Sequence, residues 1–154
     1  MTARLLMRQD PIVLRQTDRL RDAAHLILKH HFRNVPVVDE GGRYLGVVSA
    51  NRLLSMILPR AATLEESPLE SLTFVKDTVE DLRARWRDVE DLAITDCLET
   101  GLETVQPDAS MTETLLALYH NRTSLPVVEP ESGRLVGIVS HWAVGMAIVG
   151  EDSL

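Results

Sequence analysis

Apolar and polar positions change period several times along this chain, and the same order of periods occurs twice. The β-branched and apolar runs Val35–Val38 and Tyr44–Val48 flank Asp39-Glu40-Gly41-Gly42. That pattern predicts a hairpin, because valine suits a pleated, half-buried surface while Asp and Gly adopt the dihedrals of a tight turn. Leu125–Val128 and Leu135–Val139 repeat it around Glu129–Gly133. Proline has no N–H for a ladder, so Pro36 and Pro126 are expected at a strand start or edge. Upstream of each hairpin the period lengthens. Leu20, Ala24 and Ile27, and later Met111, Leu115 and Leu118, fall at i, i+4 and i+7 and predict one apolar stripe per helix. Ser110-Met111-Thr112-Glu113 reads as a capping box, and Thr17 or Asp18 as the cap of the earlier helix. Short extended pieces, Pro11–Leu14 and Leu102–Val105, precede the helices, and Ser49 and Ser140 stand where a further helix begins.

Pro36 and Pro126 are 90 residues apart and Gly42 and Gly133 are 91 apart, so the second turn carries one extra residue. An ordered set of elements duplicated at nearly constant spacing marks an internal repeat. Each copy reads strand, helix, strand, strand, helix, which places the fold in the α+β class. A sheet that small leaves an apolar face bare, so the halves are expected to share one core about an approximate twofold axis, with two equivalent clefts between them.

The segment from Pro59 to Cys97 is too long for a simple loop. Ser67, Pro68 and Ser71 predict an irregular start. Val79, Leu82, Trp86, Val89 and Ala93 then recur at alternating spacings of 3 and 4, an apolar seam on a helix opened by Asp77-Thr78-Val79-Glu80 as a capping box. The seam packs on its own domain, or Val79, Leu82, Trp86 and Val89 pair with a second subunit, Trp86 being the anchor of that interface.

Composition narrows the function. Of 154 residues, 45% are hydrophobic and 25% charged, which excludes disorder by composition. The net charge is −7, and no Lys/Arg stripe offers the positive footprint that nucleic acid needs. The single cysteine, Cys97, cannot form an intrachain disulfide and sits in no reactive motif. No secretory signal is visible at the N-terminus, and the longest apolar stretch, Ala143–Gly150, is far short of the ~20 residues that span a bilayer. A cytoplasmic location with no membrane partner is expected.

The two Pro-Val-Val strands, the Gly-Arg turns, and the stretches Gly46-Val47-Val48-Ser49 and Gly137-Ile138-Val139-Ser140 together resemble a tandem pair of CBS domains, the regulatory module named after cystathionine beta-synthase. The resemblance implies a first motif over residues 5–58, a helical connecting segment over 59–94 and a second motif over 95–150. It implies a stand-alone CBS pair of two pseudo-twofold-related β-α-β-β-α repeats with a helical insert. It also implies homodimers, an unidentified regulated protein, no required cofactor, and clefts that hold AMP, ADP, ATP or S-adenosylmethionine. The ligand-binding positions expected on this sequence are Arg33, Asn34, Val35, Pro36, Ser49 and Arg52 in one half and Arg122, Thr123, Ser124, Leu125, Pro126 and Ser140 in the other. The family aspartate that holds a ribose diol follows the Ser by three residues, where this chain has Arg52 and Ala143. Guanidinium is donor-only and alanine offers nothing, so that clamp is lost. Helix N-termini at Ser49 and Ser140, with Arg33, Arg52 and Arg122, retain the chemistry for an anion. The first cleft, with Arg33, Asn34, Ser49 and Arg52, is the better candidate by residue type. The rival reading is a ligand-independent dimerisation or scaffold module.

No catalytic constellation stands out. His25, His30, His31, His120 and His141 lack metal-ligand spacing, and His30 and His120 are expected to face solvent at matching helix ends. Neither a nucleophile elbow nor a phosphate loop occurs. A non-enzymatic regulatory module is the expectation.

Overall fold

The computed structural model describes residues 1–58 and 76–150. The first repeat supplies β1 (Leu14–Arg15), α1 (Leu20–His30), β2 (Asn34–Val38), β3 (Tyr44–Ser49) and α2 (Ala50–Ile57). After α3 (Val79–Val89) the second repeat supplies α4 (Met111–Asn121), β4 (Leu125–Val128), β5 (Leu135–Val139) and α5 (His141–Val149). β1 lies parallel to β2, which pairs antiparallel with β3. β4 and β5 form the matching hairpin, and Val105 bridges Val127 where Leu14 stands beside Val37 in the first repeat.

The turn chemistry sets the hairpins and also joins them. Asp39 Oδ1 accepts hydrogen bonds from the N–H groups of Gly41 and Arg43, both at 2.9 Å. Gly42 and Gly133 take φ of 83° and 71°, the left-handed region glycine enters without Cβ strain. The turns then meet reciprocally: Tyr44 N–H donates to Gly133 O at 2.9 Å, and Leu135 N–H to Gly42 O at 3.0 Å. Equivalent residues exchanging equivalent bonds are the signature of an approximate twofold axis.

The expectation of one shared core is corrected. Buried side chains form two clusters, and each is completed by the leading segment of the other repeat. Leu14, Leu20, Ile27, Val35, Val37 and Val48 enclose Ile94 and Cys97, whereas Leu118, Leu125, Val127 and Val139 enclose Leu6. The backbone holds the exchange in place. Arg8 and Ile138 exchange N–H···O bonds of 2.8 and 3.1 Å, and Glu99 and Val47 exchange bonds of 2.8 and 3.0 Å. Both contacts need a glycine on the receiving strand: a Cβ on Gly137 would lie 2.8 Å from Arg8 O, and one on Gly46 2.7 Å from Glu99 O. Two or three strands cannot cover their own flank, and a borrowed segment does so.

Local expectations hold unevenly. The Ser110 capping box forms, with Glu113 N–H donating to Ser110 Oγ at 3.1 Å and Ser110 N–H to Glu113 at 2.9 Å. α1 instead begins after Arg19, whose N–H donates to Asp22 at 2.9 Å, while Asp18 accepts from Arg15 N–H at 2.8 Å in the preceding turn. The box on α3 is shifted by one residue, to Thr78 and Asp81. Asp77 is taken by Arg85, whose guanidinium makes bonds of 2.6 and 2.8 Å to it and another of 3.0 Å to Ile57 O, tying α3 to the end of α2. The stripe on α4 is rotated. Thr114, Ala117 and Leu118 are buried and Leu115 is 39% exposed, because Thr114 Oγ1 donates to Ser110 O at 2.8 Å and so enters the core fully paired. On α1, Ala23 rather than Ala24 completes the buried row with Leu20 and Ile27. Trp86 and Val89 pack on the first cluster, Leu82 is half-buried and Val79 is 62% exposed, while Ala93 lies beyond the helix. The irregular start expected at Ser67, Pro68 and Ser71 lies outside the described residues. No described helix is long and apolar enough to cross a membrane.

Candidate ligand-binding clefts

The pseudo-twofold axis places a cleft on each side of a narrow bridge. Asn34 Nδ2 donates to Thr123 Oγ1 at 2.8 Å, and Arg33 Nη1 donates to Arg122 O at 3.4 Å. The first cleft, about 310 Å³, is lined by Arg33, Asn34, Val47, Ser49 and Glu99 among others. The second has an inner slot of about 100 Å³ between Ile12, Phe32, Asn34, Ser124 and Ser140. It adjoins an outer chamber of about 850 Å³, and Arg8 lines both parts.

Each helix N-terminus is capped as expected: Ser49 Oγ accepts from Arg52 N–H and Ser140 Oγ from Ala143 N–H, both at 3.0 Å. The two clefts then diverge in charge at a single equivalent position. Arg8 pairs with the residue after Gly137, and Glu99 with the residue after Gly46, so the exchange of leading segments makes them counterparts. Glu99 turns its carboxylate onto Ser49, accepting from the hydroxyl at 2.6 Å. An anion approaching that helix end meets a negative charge already in place. In the second cleft the counterpart is a guanidinium, and the Ser140 hydroxyl has no acidic partner among the described residues.

Most of the expected site residues reach a cleft. Arg33, Asn34, Arg122 and Thr123 line both, Ser49 lines the first, and Pro36, Ser124 and Ser140 line the second. Val35 and Leu125 are fully buried in the hydrophobic clusters and line none of these cavities, whereas the residues before them, Asn34 and Ser124, take the cleft side, because successive strand residues point to opposite faces. Pro126 is fully buried and lines none of these cavities. Arg52 is exposed beside the first cleft without lining it. Its charge opposes the burial that pushes the Cys97 thiol pKa up. His30 departs in part from its solvent-facing expectation. It is half-buried, stacks on Phe32 with ring centroids 5.0 Å apart and lines the outer chamber, while His120 is exposed at a different groove.

Arg8, Phe32, His31, Glu99, His141 and Trp142 join the clefts without having been anticipated. Arg8 and Glu99 are 91 residues apart, the repeat spacing itself, and that was the available signal. Their roles emerge only once the leading segments change halves.

The family model for the CBS domain matches residues 3–59 and 89–150. An uncharacterized protein of Methanocaldococcus jannaschii, MJ1426, is 28% identical over 150 residues, covering 90% of this chain and 86% of its own. Among solved structures, CBSX2 of Arabidopsis thaliana aligns with a TM-score of 0.71 at 20% identity, covering 96% of this chain and 94% of that one. CBSX2 in complex with AMP aligns at 0.68, also with 20% identity, covering 96% of both chains. A CBS domain-containing protein of unknown function from Kribbella flavida aligns at 0.70 with 18% identity, covering 97% of this chain and 99% of that one. At these identities the structural likeness shows the shared fold.

Proposed function

The chain belongs to the CBS domain family, and from that membership we propose that it is a regulatory module sensing an adenine nucleotide or related phosphorylated metabolite in its second cleft. The observation that carries this reading is the charge inversion between equivalent positions, Arg8 in the second cleft and Glu99 in the first. A phosphorylated ligand at the Ser140 helix end meets backbone N–H groups and a guanidinium. At the Ser49 end it meets a carboxylate bonded to the capping serine. The AMP complex of the structurally similar CBSX2 supports the ligand class. The slot is walled by Phe32 and Asn34 from one half and Ser124 and Ser140 from the other. A ligand there contacts both halves, and its differential affinity for two arrangements of them is the signal passed to a regulated protein.

Calorimetry and thermal shift with AMP, ADP, ATP and S-adenosylmethionine test this. A ligand at 100 times its Kd raises stability by ~2.7 kcal/mol. Arg8→Glu, which places in the second cleft the charge that Glu99 brings to the first, removes the effect while leaving the Arg8 backbone bonds in place. A flat panel, or binding indifferent to Arg8→Glu, rejects the assignment.

The absence of a ribose-holding carboxylate at Arg52 and Ala143 favours the second reading, a dimerisation or scaffold module acting without ligand. Its interface comprises the α3 seam, with Val79 as the accessible member and Trp86 and Val89 supporting it from their own core. A flat ligand panel together with a dimer that Val79→Glu dissociates in sedimentation supports that alternative.

A further inference from the structure

The outer chamber of the second cleft differs chemically from the slot beneath it. Arg8, Arg33, Arg122, His30, His31 and His141 line it, and no carboxylate does among the described residues. The chain as a whole carries 23 acidic residues against 16 basic ones, so this surface runs against its average charge. None of the three guanidiniums is paired with a carboxylate among the described residues.

The backbone carries a second, independent mark. Among the described residues, only His31 and Arg122 combine a side chain with positive φ, at 56° and 59°. They are the C-caps of α1 and α4, where glycine is the unstrained choice. The left-handed region is unfavourable for residues bearing a Cβ. Both strained positions carry cationic or protonatable groups and both line this chamber, Arg122 lining the first cleft as well. Strain of this kind clusters where a side chain is needed by a ligand.

We propose that the outer chamber is a polyanion site that selects oligophosphate over monophosphate. This deepens the reading of the Ser140 cleft by assigning its outer part to a chain of three or more phosphoryl groups. At about 850 Å³, against about 100 Å³ for the slot, the chamber has room for such a chain. The guanidiniums converge on it from three separate segments, which lets several phosphates be engaged at once. Tyr119 and Trp142 complete the rim, 76% and 74% exposed, as flat surfaces beside the charges. The phosphate chain can be the tail of a nucleotide or free inorganic oligophosphate, and the two sources are distinguished by experiment.

Titration calorimetry on the full chain with inorganic tripolyphosphate, AMP, ADP, ATP and adenosine tests the site, with Arg122→Gly and His31→Gly as variants. Glycine relaxes the positive φ at both positions, so these variants melt no lower than wild type, which thermal unfolding checks. The expected result is saturable tripolyphosphate binding, nucleotide affinity rising from AMP to ATP, and a weakening of about tenfold or more for tripolyphosphate in Arg122→Gly. A tripolyphosphate titration without heat, or an affinity unmoved by Arg122→Gly and by ligand charge, overturns the proposal. AMP binding without tripolyphosphate binding leaves the nucleotide reading standing and sinks this one. Tripolyphosphate binding with which no adenine compound competes does the reverse and identifies free oligophosphate as the source.

Discussion

The exchange of leading segments makes Gly137→Ala a demanding test of how this fold supports its site. A Cβ at this position lies 2.8 Å from Arg8 O, and also 2.8 and 2.9 Å from Met7 Sδ and Cγ. The methionine can swing away, but the carbonyl is held by the Ile138 N–H at 3.1 Å, so the backbone of residues 7–8 must lift off β5. Two backbone hydrogen bonds weaken, at about 0.5–1.5 kcal/mol each. Leu6, only 7% exposed in the second cluster, is drawn partly into water, which adds on the order of 1 kcal/mol. The expected loss is ~2–4 kcal/mol, or a fall of roughly 5–15 °C in Tm for a domain of this size. Gly145 supplies the control. It lies inside α5 with no neighbouring heavy atom within 4 Å of where a Cβ would sit, so Gly145→Ala gains ~0.5–1 kcal/mol from helix propensity. Urea unfolding measures both, and hydrogen exchange at the Arg8 and Ile138 amides reports where the loss occurs. If Gly137→Ala unfolds within ~0.5 kcal/mol of wild type with both amides still protected, the close approach contributes nothing and the account of the exchange is wrong.

Three further outcomes follow from individual side chains. The Tyr44 hydroxyl is buried without a partner among the described residues, and burial pushes its pKa from 10.0 up to about 12. Tyr44→Phe should therefore be neutral or stabilising, by up to ~2 kcal/mol. Since the folded state holds this proton more tightly, the wild type should lose stability as pH rises from 10.0 towards 12, and the Phe variant should lose less; parallel denaturation curves across that range refute the linkage. Cys97, fully buried with its thiol pKa raised by burial, should resist an aromatic disulfide reagent until the protein unfolds. Labelling should quicken in Gly46→Ala, where the leading segment is pushed from β3. The Asp81 carboxyl is held below its ordinary 3.8 by the Thr78 N–H and then the Thr78 hydroxyl. Its contribution to the cap is present above pH 3.8 and lost as pH falls through the lower native value, so Trp86 fluorescence should report loosening of α3 there in wild type and a flatter response in Asp81→Asn.

What was legible in the sequence is what nearest neighbours decide. The hairpins follow from β-branched runs around Asp and Gly, and the turns at Gly42 and Gly133 take the positive φ their residue type allows. The Ser110 cap needs only Glu113 three residues on, and Ser49 and Ser140 cap the helices that follow them. The duplication at a spacing of 90 to 91 residues announced the pseudo-twofold, since two copies of an unsatisfied apolar face must find each other.

Tertiary structure alone decided the rest. Which residue of α4 faces inward turned on a Thr114 hydroxyl finding the Ser110 carbonyl, a pairing that hydropathy cannot register. Which half receives Leu6, and which receives Ile94 and Cys97, depended on contacts between segments far apart in the chain. The same crossing put Arg8 in one cleft and Glu99 in the other, placing opposite charges at one matching position of two sites that the repeat made equivalent in outline. The sequence by itself specified two clefts, because local patterning is read over a few residues. Their chemistry waited on packing, because positions 8, 33, 122 and 141 share no local period and become neighbours only across the twofold.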